Sequence, residues 1–259
     1  MGRTAVLRHR VIPFLLVKDH GLVKTNHFAD PKYVGDPINA IRIFNEKEVD
    51  ELALLDISAT PEQRGPNFDL VRDVASECFM PLAYGGGVRN LADAEGLFSL
   101  GVEKVVLRSA AMTDLQVVTA IADYAGASSV TVSVDVKKPR IGRHQLFGPG
   151  TPAHGDSDWT GFIRRVIDAG AGEIVLNSVD RDGTMSGLDE HLIASAAQVS
   201  TVPLVAVGGV GSLDHIRAGV DAGADAVGAG SFFVFYGPRR AVLITYPSYE
   251  ELTALLGAE

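Results

Sequence analysis

Pro81-Leu-Ala-Tyr-Gly-Gly-Gly-Val88 decides the fold, because it comes back 122 residues later as Pro203-Leu-Val-Ala-Val-Gly-Gly-Val210. Each copy is a short apolar run ending in a glycine-rich turn. At the same spacing Leu91 meets Leu213, Gly101 meets Gly223, Val105 meets Val227, Ser109 meets Ser231 and Glu51 meets Glu173. Near the start the spacing becomes 119, and Phe14-Leu-Leu-Val-Lys18 meets Ser133-Val-Asp-Val-Lys137. The chain reads as two copies of one half.

Outward from these turns, short apolar runs alternate with longer segments of helical spacing. The predicted strands are Val11–Val17, Glu51–Ile57, Pro81–Gly85, Lys104–Leu107, Val130–Val136, Glu173–Asn177, Pro203–Val207 and Ala226–Ala229. The predicted helices are Pro37–Glu46, Phe68–Cys78, Leu91–Leu100, Asp114–Tyr124, Gly161–Ala169, Glu190–Gln198, Leu213–Ala222 and Tyr249–Leu256. Strand–helix alternation implies parallel strands with crossover helices outside them. Eight such pairs in 259 residues match a (β/α)₈ TIM barrel of two (βα)₄ half-barrels, read as a single domain over residues 1–259. A doubly wound open sheet would carry a Gly-rich turn after its first strand, and Lys18-Asp-His-Gly-Leu-Val-Lys24 carries none. The long segment Lys137–Asp158 reads as a mobile loop at the C-terminal ends of the strands, where barrel active sites lie.

With 46% hydrophobic and 21% charged residues, the composition is that of a soluble globular protein. A net charge of −9 without a basic cluster speaks against nucleic acid, whose phosphates need a cationic surface. The lone Cys78 makes no internal disulfide. Met1–Arg10 lacks the apolar core of a signal peptide, and no apolar run reaches membrane-spanning length. The expected location is the cytoplasm. The seven histidines show no metal-ligand spacing, so neither a metal nor another cofactor is expected.

Chemistry gathers at the turns and strand ends. Glycine lets backbone N–H groups approach a phosphate closely. Gly86 and Gly87 in one half, and Gly208 and Gly209 in the other, each follow a strand. The next strand in each half ends at Ser109 or Ser231. One such turn alone reads as a tight turn; two at matching places favour a pair of phosphate sites. Asp56, Asp135, Asp180 and Asp182 stand at or just after strand ends, where carboxylates face a barrel's active site. Asp182-Gly183 is also a good turn pair. Asp135 ends an apolar strand, which favours contact with substrate. Its repeat partner in the first half is Leu16, which neither donates nor accepts a proton. Lys24 is placed to reach a bound phosphate or to sit in solvent. At the opposite end Arg10, Glu51, Lys104 and Glu173 begin strands 1, 2, 4 and 6. Taken alone, these alternating charges read as a structural ion network.

Gly35-Asp-Pro, Asp50-Glu-Leu…Leu-Asp56-Ile, Gly85-Gly-Gly-Val88, Gly101-Val-Glu-Lys-Val105, Gly170-Ala-Gly-Glu173-Ile, Asp180-Arg-Asp-Gly-Thr184 and Gly208-Gly-Val-Gly211 together resemble the cyclase subunit family of imidazole glycerol phosphate synthase. The resemblance runs through nearly the whole chain in order. It implies a two-half barrel with a glutaminase subunit on its N-terminal face. Ammonia from that subunit would travel up the barrel core and react with a phosphorylated ribulosyl substrate, closing the imidazole ring. It further implies catalytic roles for Asp135 and Lys24. Substrate or phosphate contacts are implied for Asp56, Gly86, Gly87, Arg108, Ser109, Asn177, Asp180, Asp182, Gly208, Gly209, Gly230 and Ser231. The charges Arg10, Glu51, Lys104 and Glu173 become an ammonia gate.

Departures from the family fall at the chemistry. Leu16 stands where the family has its second catalytic aspartate, and Arg108 where it has asparagine. Asn177 replaces a threonine, and Val207 a serine. Phe14-Leu-Leu-Val-Lys-Asp19, Lys32-Tyr-Val-Gly-Asp-Pro-Ile-Asn39 and Phe44-Asn-Glu-Lys-Glu-Val-Asp-Glu51 are similar to paralogues tied to glycosyl amidation. There the barrel and a glutaminase-like subunit supply ammonia to an amidotransferase acting on a surface sugar. The expectation is therefore an ammonia-conducting barrel. The alternatives are an authentic ring-closing cyclase and a phosphate-binding scaffold that regulates a glutaminase.

Overall fold

The computed structural model describes residues 9–140, 142–149, 158–237 and 239–257. The reading of Met1–Arg10 as free of a signal falls largely outside these residues, as does part of the Lys137–Asp158 loop. Eight parallel strands close into a barrel: β1 (Arg10–Lys18), β4 (Leu52–Asp56), β5 (Leu82–Gly85), β6 (Lys104–Leu107), β7 (Val130–Lys137), β9 (Glu173–Ser178), β10 (Leu204–Val207) and β11 (Ala226–Ala229). The closing seam pairs β11 with β1, from Arg10↔Ala226 to Pro13↔Ala229. With eight strands in the ring, β7 stands diametrically opposite β1.

Helices α1 (Pro37–Glu46), α2 (Phe68–Glu77), α3 (Leu91–Ser99), α5 (Gln116–Ala125), α6 (Trp159–Asp168), α7 (Glu190–Ala197), α8 (Leu213–Asp221) and α10 (Tyr249–Leu256) surround the barrel. Their starts are written in the sequence. Asp36, Asn67, Asn90, Asp158, Asp189, Ser212 and Ser248 each cap a helix by accepting a backbone N–H in its first turn.

Side chains alternate along every strand, which produces two cores. The outward faces, with Val11, Leu15, Leu54, Tyr84, Val105 and Val132 among them, pack on the helices. The inward faces form a separate cluster of Ile12, Phe14, Ala53, Ala83, Val106, Val175, Val205 and Ala226, joined by Leu55 and Val207. Within this cluster Phe14 packs against Gly228 of the neighbouring strand β11, where an added methyl group would collide with its ring and with Val207.

Four segments differ from the expected pattern. The segment after β1 is a sheet extension: β2 (Gly21–Asn26) pairs antiparallel with β1, and β3 (Ala29–Gly35) with β2. The segment before α5 contains the separate short helix α4 (Ser109–Thr113), because Asp114 is extended and breaks the helical run. The Lys137–Asp158 loop contains β8 (Gln145–Leu146), paired with the end of β7. A final hairpin, β12 (Phe235–Tyr236) with β13 (Ala241–Val242), follows the short helix α9 (Ser231–Val234).

Candidate active site and barrel floor

Alternation sorts the inward residues into levels. On β1, Arg10, Ile12, Phe14 and Leu16 share one face. Across six residues at about 3.3 Å each, that face runs roughly 20 Å from floor to mouth.

At the floor the four charges from strand starts meet in a closed ring. Arg10 donates to Glu51, and to Glu173 at 2.6 Å; Lys104 lies 3.0 Å from Glu51 and 3.2 Å from Glu173. Thr131 Oγ1 also donates to Glu173, at 3.1 Å. Both glutamates are buried. Burial works against the charge on Arg10, but the two glutamates outweigh it and raise the pKa of its guanidinium. Each acid thus lies between two bases, which offsets the cost of taking it out of water.

At the mouth, Asp135 ends the inward face of β7 and is 4% exposed. Its Oδ1 accepts from Asn177 Nδ2 at 3.2 Å and from Ser133 Oγ at 3.3 Å. Arg108 Nε lies 2.5 Å from Asp135 Oδ2, yet the geometry of that contact is not that of a hydrogen bond. Burial pushes the Asp135 carboxyl above the usual range, while Arg108, Asn177 and Ser133 pull it down. Leu16 occupies the matching level of β1, beside Leu55 and Val23.

Lys24 projects from β2 into the mouth and is buried. Its Nζ donates to the Phe14 carbonyl oxygen at 2.6 Å. It fills space that any side chain at position 230 would claim, since a methyl group on Gly230 would lie 2.5 Å from it. Burial lowers its pKa to about 8, and the negative charge of Asp182 opposes the shift. Asp182 in turn ties the hairpin to the loop after β9. Its Oδ2 accepts from Thr25 Oγ1 at 3.2 Å and Phe28 N at 3.3 Å, and its carbonyl oxygen accepts from His27 N at 3.1 Å. Burial raises its pKa as well. Asp182 thus serves a structural role, tying the β2–β3 hairpin to the loop after β9.

The remaining residues divide. Asp56 lies on the opposite face of β4 from Leu55 and is fully engaged. Arg64 grips both its oxygens, at 2.8 and 3.1 Å, and Ser58 N, Ser58 Oγ and Ala59 N donate to Oδ1. A cleft of about 500 Å³ opens beside it, lined by Val17, His20, Arg64, Asn67 and Phe68 among others, and does not include Asp135 or Lys24. Asp180 Oδ2 accepts from Lys138 N at 2.6 Å. The two glycine turns keep the repeat to atomic detail. Methyl groups on Gly86 and Gly208 would strike the backbone of Asp56 and Ser178; those on Gly87 and Gly209 would strike Gly65 and Gly187. All four have φ between 74° and 119°. Packing against the preceding loop is therefore one reason for glycine at these places. Ser231 is buried and Ser109 half-buried.

The residue pattern did not disclose the grip of Arg64 on Asp56. It also missed Phe28 and Phe147, whose rings meet at 6.1 Å over the mouth. Among the described residues, no group of three or more His, Cys, Asp or Glu is arranged to hold a metal ion. No helix there is long and apolar enough to cross a membrane.

A family model described as "Histidine biosynthesis protein" matches residues 10–238. The chain belongs to this family. Within it, a Pseudomonas aeruginosa protein named "Putative imidazole glycerol phosphate synthase subunit hisF2" is 50% identical over 248 residues, covering 95% of this chain and 99% of the relative. A Leptospira borgpetersenii protein named "Putative imidazole glycerol phosphate synthase subunit HisF" is 45% identical, covering 96% and 99%. A Vibrio vulnificus protein named as subunit hisF3 of the same enzyme is 45% identical, covering 95% of each. The chain is thus a HisF-type barrel, and its family likeness spans the floor ring as well as the mouth.

Proposed function

We propose that this HisF-type barrel, one undivided domain in the cytoplasm, conducts ammonia within a glutamine-dependent amidotransferase system. A glutaminase subunit docks on the floor, and ammonia enters through Arg10, Glu51, Lys104 and Glu173. An amidotransferase near the mouth uses it to convert an acetamido group on a surface-polysaccharide sugar into an acetamidino group. The amidotransferase activates the amide, ammonia adds to its carbon, and the carbonyl oxygen departs on the activating group, for a net loss of water. A phosphorylated small molecule occupies the glycine turns through Gly86, Gly87, Ser109, Gly208, Gly209, Gly230 and Ser231.

One observation carries this reading: a closed ring of buried charge lies under an apolar lumen whose exit pairs Asp135 with Leu16. An apolar lumen suits a small neutral molecule, whereas ammonium would pay heavily to leave water. Ring closure needs an acid and a base, and loss of one such group typically costs about 10²–10⁴-fold in rate. Lys104→Ala is expected to leave glutaminase binding intact while uncoupling glutamine hydrolysis from amidation. Full coupling in that variant would defeat the reading.

The second reading is an authentic cyclase, favoured by the retention of Asp135, Lys24 and Asp182 at the mouth. Purified protein given ammonium and the phosphorylated ribulosyl substrate would then form imidazole glycerol phosphate; no product after long incubation counts against it.

A further inference from the structure

The two half-barrels differ sharply at one equivalent pair of positions. The 122-residue spacing superposes Arg108 on Gly230. In the second half the glycine leaves room for the Lys24 amine. In the first half the Arg108 side chain fills the opening itself. Its Nε meets Asp135 Oδ2, a terminal nitrogen donates to the Phe147 carbonyl oxygen at 3.3 Å, and its guanidinium carbon lies 6.0 Å from the centre of the Phe28 ring. Phe28 is the tip of the β2–β3 hairpin, and Phe147 follows β8. One cation therefore joins the loops after β1 and β7 to the carboxylate between them. Lys137 adds to the clasp, 5.5 Å from the centre of the Phe147 ring.

We propose that Arg108 is the specificity-determining residue of the mouth. It engages the oxygen of Asp135 that a substrate proton would need, and it holds Phe28 and Phe147 across the space a phosphorylated ribulosyl substrate would enter. Ammonia, far smaller, is not barred by this clasp. Position 108, and not Leu16 alone, then separates this barrel from one that closes a ring. The inference deepens the proposed function and rests on its reading of the mouth. Its test uses neither glutamine nor a partner, so the two fail separately.

The test compares wild type, Leu16→Asp, Arg108→Asn and the double variant. Ring closure is assayed with ammonium and the phosphorylated ribulosyl substrate, and hydrogen exchange is followed at Phe147, whose N–H is held by the Asp135 carbonyl oxygen at 2.8 Å. Arg108→Asn is expected to speed exchange at Phe147 at least tenfold. Leu16→Asp alone is expected to stay near wild type, and the double variant to exceed it at least tenfold in turnover. Arg108→Gln carries the same comparisons if Arg108→Asn does not fold. Arg108→Lys, which keeps the charge, is expected to give no gain. Equal turnover by Leu16→Asp and the double variant at any level, or unchanged exchange at Phe147, overturns the proposal.

Discussion

Lys24 shows how one side chain couples the mouth to stability. Its amine is buried with the Phe14 carbonyl oxygen as partner, and burial lowers its pKa from 10.5 to about 8. Below pH 8 the folded and unfolded chains both hold the proton, so the penalty of a buried charge is present in full. Between about pH 8 and 10.5 the unfolded chain binds the proton more strongly, and folding stability rises with pH. The full span is on the order of 3 kcal/mol. Urea melts of wild type and Lys24→Met across pH 7–10.5 should therefore show wild type gaining on the variant as pH rises. A constant difference would mean that the amine titrates normally. Position 24 was visible in the sequence as a lysine after the first strand, but its burial was not. Burial follows from the hairpin folding over the mouth, and no local pattern encodes that.

At the level of elements, the barrel strands and their helices were legible because each encodes its own environment. A strand buried on both faces reads as a continuous apolar run, and an outer helix as an amphipathic stripe. The β1–β2 turn was not legible. Asp19 and His20 both have positive φ, 49° and 65°, in a two-residue hairpin that sequences usually mark with Asn-Gly or Asp-Gly. The glycine turns were expected to hold phosphate; the structure shows that packing and positive φ call for glycine there. Gly86→Ala and Gly208→Ala place a methyl group at positive φ against the backbone of Asp56 and Ser178, at the ends of the neighbouring strands β4 and β9. Each should lower stability by about 1–3 kcal/mol, measurable by thermal melting without any ligand. A variant as stable as wild type would show that each turn moves off its neighbouring strand end freely.

For the whole molecule, the decisive feature is the division into two cores, one between sheet and helices and one inside the barrel. A TIM barrel interior is a packed core and not an open bore, and here Phe14 is part of that inner packing. Under the proposed function, ammonia would have to pass this inner cluster, with Phe14 among its larger side chains. Phe14→Trp should slow amidation fed by glutamine while sparing amidation fed by added ammonium salt, which bypasses the lumen. Equal effects on both would place the defect outside the lumen. Strand and helix periodicity is local and the repeat lies in the order of the chain, so the barrel and its two halves follow from the chain read alone. Partnership is different. Arg10 and Glu173 are 163 residues apart, and Arg108 finds Asp135 across adjoining strands. Those contacts exist because the barrel closes with one register and alternation turns both members of each pair inward. The charges were visible as an alternating ring at the floor; their salt-bridge partners, the clasp on Asp135 and the packing of Phe14 on Gly228 and Val207 depend on long-range geometry.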